Sequence, residues 1–311
     1  MQRYLITCFV VCFLSDFNHF LFAAVPYYSP ATAANHTSSL IDNPYVFPTF
    51  SGNDELIIGS SYGWTVPYIP SHGLYGYKIT DSSVESDKAK IVMISGNHNG
   101  EDAGNWVLQG AIDFLVGEDI YAARFRQMAE VYVYPMVNPD GRYTRTGRGN
   151  PEMLAGGYGT DHNRVWNTTG LSTIDAFTQA MINDTSGNVD YFLDFHSLAS
   201  SNCVLTVPEL IDSDFILALL DINPALLAKE SIGETGMARL WAMSSAGLNA
   251  RYAYTPEQHH LWSDESLYLD LGVDYAQALI RVIVPEPAML LFLSIGGLII
   301  SKIGRKKRSK R

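Results

Sequence analysis

Residues 90–102 read KIVMISGNHNGED, and the rest of the chain is organised around this stretch. Ile91–Ile94 is an apolar run of the kind that forms a buried strand, and the Ser-Gly-Asn after it ends the strand. His98 and Glu101 follow three residues apart, so one turn of chain brings an imidazole and a carboxylate to one side. Zinc binds such ligands, and a hydrolytic zinc site has three protein ligands and one open position. The stretch therefore predicts a strand that leads to two of the three ligands.

The composition is that of a folded protein with an acidic body. The 311 residues include 47% hydrophobic and 17% charged residues, which is typical of globular chains. Residues 25–284 hold 13 basic and 30 acidic residues, a net charge of −17. This balance argues against nucleic-acid binding, which depends on basic surface.

Both ends of the chain resemble targeting segments. Residues 1–24 combine one arginine, two apolar stretches and small residues at Ala23 and Ala24, which predicts a secretory signal peptide. Residues 284–311 place a Pro-Glu-Pro sequence before the apolar run Met289–Ile300 and a basic end. In order and position these parts resemble the PEP-CTERM sorting signal of exported bacterial proteins, which membrane proteases of the exosortase type process. A short membrane tail is the alternative.

These two ends predict where the protein works. They indicate an exported protein, extracellular or at the cell surface, with transient membrane association through the C-terminal tail. Between them the sequence predicts an irregular arm over residues 25–50 and a single catalytic domain over residues 51–283.

Strand-like and helix-like segments alternate along the body. Periodicity predicts strands at Glu130–Val137, Val189–Phe195 and Arg251–Thr255, and helices at Ala103–Val116 and Asp264–Val282. This alternation predicts an α/β fold with a sheet flanked by helices. Sites in such sheets form beyond the carboxyl ends of strands.

Polar side chains of catalytic type follow four of the predicted strands. His98 and Glu101 follow the first, an Asn-Pro-Asp-Gly turn follows the second, His196 follows the third and Glu257 the fourth. With His98 and Glu101 as two ligands, His196 would supply the third ligand of a catalytic zinc site.

Taken together, five stretches resemble the M14-type zinc carboxypeptidases. They are GNHNGED, YPMVNPDG, GTDHNRVW, DFHS and YTPE, in family order, over roughly residues 75–283. The resemblance implies a single domain with a mixed, mostly parallel twisted sheet, and one Zn²⁺ per chain. It also implies an enzyme that removes C-terminal amino acids from peptides or proteins by means of metal-activated water.

The resemblance assigns the metal site residue by residue. His98, Glu101 and His196 are the implied zinc ligands. Asp161 corresponds to the carboxylate that orients the first zinc histidine, and such a partner fixes the tautomer of the imidazole.

The resemblance also implies substrate-binding and catalytic residues. Asn163 and Arg164 correspond to the pair that holds the terminal carboxylate of the substrate, a task suited to a guanidinium fork. Glu257 corresponds to the general base. Glu265 is a rival for this role, although it lies in a predicted first helical turn, where carboxylates are stabilising in any case.

One arginine of the family polarises the scissile carbonyl, and three arginines compete for that place. Arg148 aligns best, Arg145 second, and Arg142 is the third. Gly100 departs from the digestive members, which carry arginine there, and is similar to the cytosolic deglutamylase branch. The specificity residue is expected within Leu240–Asn249.

Two other functions compete with the carboxypeptidase. The first is an amidohydrolase of the same clan acting on N-acyl amino acids, which shares the His-x-x-Glu pair and a distal histidine. The second is a non-catalytic surface protein that retains zinc or a peptide-binding groove. Glu257 favours an enzyme over the second alternative, because a binding module needs no base there.

Overall fold

A mixed sheet of eight strands forms the centre of the computed structural model, which describes residues 25–65, 68–145, 148–199, 201–259 and 264–284. The predicted signal peptide and almost all of the predicted sorting tail lie outside these residues. Both stay predictions, and so does the exosortase-type protease as a partner. Within the described part of the chain, none of the helices has the length and hydropathy needed to cross a bilayer.

The strands and helices succeed one another along the chain. The strands are β1 (Val46–Pro48), β2 (Ile57–Ser60), β3 (Trp64–Thr65), β4 (Tyr68–Ile69), β5 (Gly73–Tyr75), β6 (Tyr77–Ile79), β7 (Ala89–Ser95), β8 (Ala129–Tyr134), β9 (Tyr191–Ala199), β10 (Cys203–Thr206), β11 (Leu227–Glu230) and β12 (Tyr252–His259). The helices are α1 (Pro30–Ser39), α2 (Asp102–Val116), α3 (Ile120–Met128), α4 (Pro139–Thr144), α5 (Pro151–Gly156), α6 (Ser172–Thr185), α7 (Asp214–Ile222), α8 (Ala238–Met243) and α9 (Glu265–Ile283). Two short 3₁₀ turns cover His162–Arg164 and Pro208–Leu210.

The main sheet has the order β1-β6-β8-β7-β9-β12-β10-β11. Its four central strands, β8, β7, β9 and β12, run parallel to one another. Antiparallel pairs flank them, β6 beside β8 and β10 beside β12. The predicted α/β fold with a mixed, mostly parallel sheet is therefore confirmed.

The apolar run that opens the zinc-ligand stretch is buried on both faces. Ile91 and Met93 belong to a core formed with α2, α7 and α9, whereas Val92 and Ile94 belong to a second core with α6 and α8. Successive side chains of a strand point to opposite faces, so a strand between two helical layers must be apolar throughout. The sequence of β7 satisfies this requirement.

Two glycines let α2 lie directly against α9. A Cβ at Gly110 would stand 2.1 Å from the carbonyl oxygen of Leu269, and a Cβ at Gly272 would stand 2.1 Å from that of Val107. Only glycine permits this approach of the two backbones. Because α2 begins directly after Glu101, this contact holds in place the helix that carries the ligand at its N-terminus.

Two local predictions differ from the structure. The arm over residues 25–50 contains a helix, α1, which begins with a capping box between Ser29 and Thr32 and has Pro30 at its first position. The fourth predicted strand does not end before Pro256 but continues to His259, so Glu257 lies within β12.

Candidate active site

The predicted metal ligands converge at the carboxyl ends of the central strands. Ligand atoms of His98, Glu101 and His196 lie within 4.8 Å of one another, and all three side chains are buried. His98 Nδ1 lies 2.7 Å from Glu101 Oε1, and His196 Nδ1 lies 2.7 Å from Glu101 Oε2. Two imidazole nitrogens and a carboxylate therefore face a common point, as predicted from the sequence.

Glu101 is placed by its position in the fold. It is the N-cap residue of α2, yet its side chain makes no capping hydrogen bond and turns to the histidines. Its Oε2 also accepts a hydrogen bond of 3.0 Å from the backbone N–H of Ser197. Burial opposes ionisation of this carboxyl, but the neighbouring His196 and His98 hold its pKa well below the usual value.

The Nε2 of each histidine, the ring nitrogen directed away from Glu101, is hydrogen-bonded to a different aspartate. His98 Nε2 donates to Asp161 Oδ1 over 2.9 Å, and His196 Nε2 donates to Asp194 Oδ2 over 2.8 Å. Each Nε2 carries a hydrogen in this arrangement, so each Nδ1 is the nitrogen left for a metal. The role of Asp161 is predicted from the sequence, whereas that of Asp194 is not. The signal was available, because residues two apart on a strand project to the same face.

Arg148 lies at this cluster and Arg145 does not. Arg148 Nε donates to Asp161 Oδ2 over 2.9 Å, and its Nη1 donates to Glu101 Oε1 over 3.2 Å. The guanidinium of Arg145 instead stacks 3.6 Å from the ring centroid of Tyr27, beside a cavity of about 560 Å³. Arg145 is the C-cap residue of α4 and has a left-handed backbone with φ +54°. The structure therefore does not bring Arg145 to the predicted substrate site.

Arg142, the third competitor, is buried behind the metal-ligand loop. Its Nη1 donates to the carbonyl of Asn99 over 3.0 Å and to Asp102 Oδ1 over 2.7 Å, and its Nη2 donates to Asn105 Oδ1 over 2.6 Å. Both terminal nitrogens of this guanidinium are thus bonded inside the protein, whereas its buried Nε has no hydrogen-bond partner among the described residues. Arg142 therefore braces the loop that contains His98 and does not face a substrate.

Asn163 lies between the metal cluster and α8. Its Oδ1 accepts a hydrogen bond of 2.8 Å from the backbone N–H of Ala238, which fixes the orientation of the amide. Its Nδ2 then lies 3.2 Å from His196 Nε2. Because that nitrogen donates to Asp194, it cannot also accept from Asn163, so the amide hydrogens of Asn163 remain available to another acceptor.

Arg164 is partly exposed beside Asn163. Its Nε donates to Glu234 Oε2 over 2.8 Å, and its Nη1 donates to the backbone carbonyl of Asn163 over 2.8 Å. The side chain of Glu234 is 71% exposed. Ion pairs of this kind contribute little to stability, so a second carboxylate can replace Glu234 at small cost.

Glu257 stands beside His196 in the sheet. The two residues are register partners in the parallel pair β9–β12, and Glu257 also pairs with Cys203 of β10. Burial raises the pKa of Glu257 to about 7, against the opposing charge of His196 and with the like charge of Glu101 adding to the effect. Glu265, the rival base, is the first residue of α9, whose N-cap Asp264 binds the N–H of Ser266.

The segment in which the specificity residue is expected overlaps α8. One residue before that segment, Arg239 is 1% exposed, and its Nη2 donates to the carbonyl of Ser231 over 2.7 Å. Within the described residues its Nε and Nη1 have no hydrogen-bond partner. Burial lowers the pKa of Arg239, while Asp194 and Glu257 act in the opposite direction. This buried cation near the cluster is not among the residues predicted from the sequence.

Comparisons with known proteins point to one class. Residues 71–201 match the family model Peptidase_M14, zinc carboxypeptidase. The human cytosolic carboxypeptidase 6 is 32% identical over 124 residues, which are 38% of this chain and 24% of that protein. Cytosolic carboxypeptidase 2 of Xenopus tropicalis is 28% identical over 137 residues, which are 40% of this chain and 13% of that protein. The matched region is thus a quarter or less of each of these relatives.

Solved structures show the same fold. The metallo-carboxypeptidase of Burkholderia cenocepacia superposes with a TM-score of 0.65 at 17% identity, covering 83% of this chain and 69% of that chain. The metallo-carboxypeptidase of Pseudomonas aeruginosa gives 0.64 at 17% identity, covering 82% and 69%. At these identities the likeness establishes the carboxypeptidase fold. Together with the family match, it supports the class predicted from the sequence, a zinc metallocarboxypeptidase.

The predicted location is contradicted by the same relatives. The chain ends predict an exported, extracellular or cell-surface protein, but the curated relatives that match are named cytosolic carboxypeptidases. That prediction is therefore wrong. It depended on weak signals, because polar residues interrupt the first apolar stretch and the run Met289–Ile300 is shorter than the roughly 20 residues of a spanning helix.

Proposed function

We propose that the protein is a zinc-dependent carboxypeptidase that hydrolyses the last peptide bond of a peptide or protein. The observation that carries the proposal is the convergence of His98 Nδ1, His196 Nδ1 and the Glu101 carboxylate, with each Nε2 bound to a carboxylate. Two nitrogens and one carboxylate are a ligand set of catalytic zinc sites, which keep a fourth position open. The residues therefore fit one Zn²⁺. When bound, zinc supplies a Lewis acid that polarises a carbonyl and acidifies water.

The substrate end would be held by two neighbouring side chains. Among the described residues the amide hydrogens of Asn163 have no acceptor, and the Nε of Arg164 donates to the exposed Glu234. A terminal carboxylate could take the place of Glu234 and accept from both side chains. This contact selects peptides with a free C-terminus and sets the position of the bond to be cut.

Two further residues would act on the reacting atoms. Arg148 carries donors at the edge of the metal cluster, where negative charge develops on the carbonyl oxygen, and such donors stabilise the transition state. Glu257, with a pKa raised towards neutrality by burial, would take a proton from the attacking water and return it to the leaving amine. Asp161 would keep His98 in the tautomer that leaves Nδ1 free.

The test is the release of free amino acids from a peptide library. The purified protein is incubated with peptides that have free C-termini, with the same peptides amidated, and with N-acyl amino acids, each with and without a chelator. The proposal expects release from the free peptides alone, and loss of release with chelator that added zinc restores. Cleavage of the N-acyl amino acids alone would identify an amidohydrolase, and binding without cleavage would identify a non-catalytic protein.

A further inference from the structure

We infer that Asn97 is a positioning residue for the third metal ligand, His196, and that it acts through the carboxylate of Asp194. The inference rests on the metal site of the proposed function and goes beyond it, because it concerns how one ligand is held.

Two hydrogen bonds connect Asn97 to His196. Asn97 Nδ2 donates to Asp194 Oδ1 over 2.8 Å, and Asp194 Oδ2 accepts from His196 Nε2 over 2.8 Å. Asp194 is fully buried and Asn97 is 1% exposed. A carboxylate sealed in this way cannot turn to solvent for a replacement donor, so its orientation depends on these partners.

The orientation of the Asn97 amide is itself fixed. Its Oδ1 accepts from Trp166 Nε1 over 3.0 Å and lies 3.0 Å from His162 Nδ1. An indole nitrogen can only donate, so the atom facing Trp166 must be the oxygen, and the Nδ2 must face Asp194. The backbone carbonyl of Asn97 also accepts from Asn138 Nδ2 over 2.9 Å. The amide therefore has one orientation in which all these bonds are made.

The consequence concerns the imidazole of His196. The orientation of that ring, and the hydrogen on its Nε2, depend on where Asp194 Oδ2 lies. If Asn97 releases the other oxygen, the carboxylate can rotate about its Cβ–Cγ bond and draw the ring away from the point that it shares with Glu101. Loss of a partner that orients a ligand in this way weakens metal affinity about 10- to 100-fold.

The test measures metal binding directly. Dissociation constants for Zn²⁺ and Co²⁺ are determined by competition with a chromophoric chelator, and the d–d absorption of the Co²⁺ protein is recorded. Asn97→Ala should raise both constants about 10- to 100-fold and change the cobalt spectrum. Thr80→Val is the matched control, since it removes buried hydrogen bonds to the carbonyls of Arg126 and Ala129. It should lower the melting temperature and leave both constants and the spectrum unchanged.

An exchange of the carboxylate and the amide between positions 97 and 194 distinguishes a role of Asn97 in positioning His196 from a role in folding alone. Asn97→Asp keeps the acceptor for Trp166 and His162 but sets a second carboxylate against Asp194, so it should also weaken metal binding. The double variant Asn97→Asp with Asp194→Asn reverses donor and acceptor and should bind Co²⁺ at least several-fold more tightly than Asn97→Asp alone, which is the form of a double-mutant cycle.

Each outcome decides the inference. Asn97→Ala with cobalt affinity within twofold of the wild type and an unchanged spectrum would overturn it. If Asn97→Ala does not fold, Asn97→Asp with wild-type affinity, or a double variant without recovery, would overturn it as well. Wild-type protein that binds neither ion would overturn this inference together with the proposed metal site. Wild-type protein that binds metal and releases no amino acid would overturn only the proposed activity.

Discussion

The two histidines of the candidate metal site are held by supports of different kinds. The support of His98 is Asp161, whose side chain is 23% exposed and whose second oxygen accepts from the guanidinium of Arg148. The support of His196 is Asp194, whose side chain is 0% exposed and whose second oxygen accepts from the neutral amide of Asn97. The support of His98, Asp161 with Arg148, is partly exposed and has a charged partner, and we call it the open support. The support of His196, Asp194 with Asn97, is buried and has a neutral partner, and we call it the sealed support.

The two supports differ in how easily their hydrogen bonds can be rearranged. Arg148 binds both Asp161 and Glu101, so a substrate that engages Arg148 alters hydrogen bonds around the first histidine. Water can compensate there, because the open support is partly exposed. The sealed support is buried, so solvent cannot replace a hydrogen bond that is lost there. We therefore expect changes at His196 and Asp194 to cost more than equivalent changes at His98 and Asp161.

The largest effect is expected for removal of the histidine on the sealed support. His196→Ala removes one of three ligands and leaves the buried Asp194 without its cationic or donor partner, which is costly. The variant should retain less than about one-tenth of the zinc of the wild type and show no activity above background. Metal content after dialysis, measured by elemental analysis, checks this. Stoichiometric zinc in the dialysed variant would contradict the ligand assignment.

Glu257 lies beside His196 but belongs to neither support, so its substitution should affect the chemical step and not metal binding. Glu257→Gln keeps the shape of the side chain but cannot accept a proton. Because a general base contributes about 10²- to 10⁴-fold, kcat should fall by that range while KM and zinc content stay near the wild-type values. Steady-state kinetics with metal analysis checks this. If kcat is nearly normal, the base lies elsewhere, and Glu265→Gln is the next variant to measure.

The direct comparison uses one substitution in both supports. Asp194→Asn should raise the zinc dissociation constant about 10- to 100-fold, and Asp161→Asn should raise it by a smaller factor, since water can reach the open support. Asp194→Asn should also lower the melting temperature more. Competition with a chelator and thermal unfolding of the metal-free proteins check both points. Equal effects, or a larger effect of Asp161→Asn, would remove the distinction between the supports.

The smallest effect is expected for Arg164, which is partly exposed and lies beside Asn163. Arg164→Gln removes a charge-assisted hydrogen bond to the terminal carboxylate, worth about 1.5–3 kcal/mol, so kcat/KM should fall roughly 10- to 150-fold, with the loss at least as large in KM as in kcat. Glu234→Gln is the control and should change KM by less than about threefold, because its ion pair is exposed. A loss confined to kcat in Arg164→Gln would argue against its role in binding.

Much of the fold could be predicted because β7 and its neighbours obey simple patterns. The apolar run at Ile91–Ile94 and the helix that follows it are local features, and the residue types at the strand ends indicated the metal cluster. The prediction failed where local and tertiary signals differ. The predicted strand Arg251–Thr255 stops before Pro256, which lacks an N–H, yet β12 continues beyond this proline because pairing with β9 resumes at Glu257.

The parts of the site that sequence reasoning missed depend on three-dimensional burial. The alignment ranks Arg148 before Arg145 and Arg142 without excluding either, but the fold buries Arg142 behind the ligand loop and places Arg145 against Tyr27. The sequence predicts for Asn97 only that it ends a strand, since its hydrogen-bond partners lie far away in the chain. Asp194 could have been found from its spacing to His196 on one strand face. The helix α1 could have been found from the capping pair Ser29 and Thr32.

The short segment from Asp161 to Trp166 contains the support of His98 and contacts Asn97 of the other support. It also contains the proposed substrate-binding pair, Asn163 and Arg164. Asp161 holds His98, while His162 and Trp166 hold Asn97. We therefore expect binding of a cation at the metal site and binding of a carboxylate at Asn163 and Arg164 to influence each other through this segment. If a peptide product bound at Asn163 and Arg164 raises the affinity for the ion, the bound ion must raise the affinity for that product by the same factor.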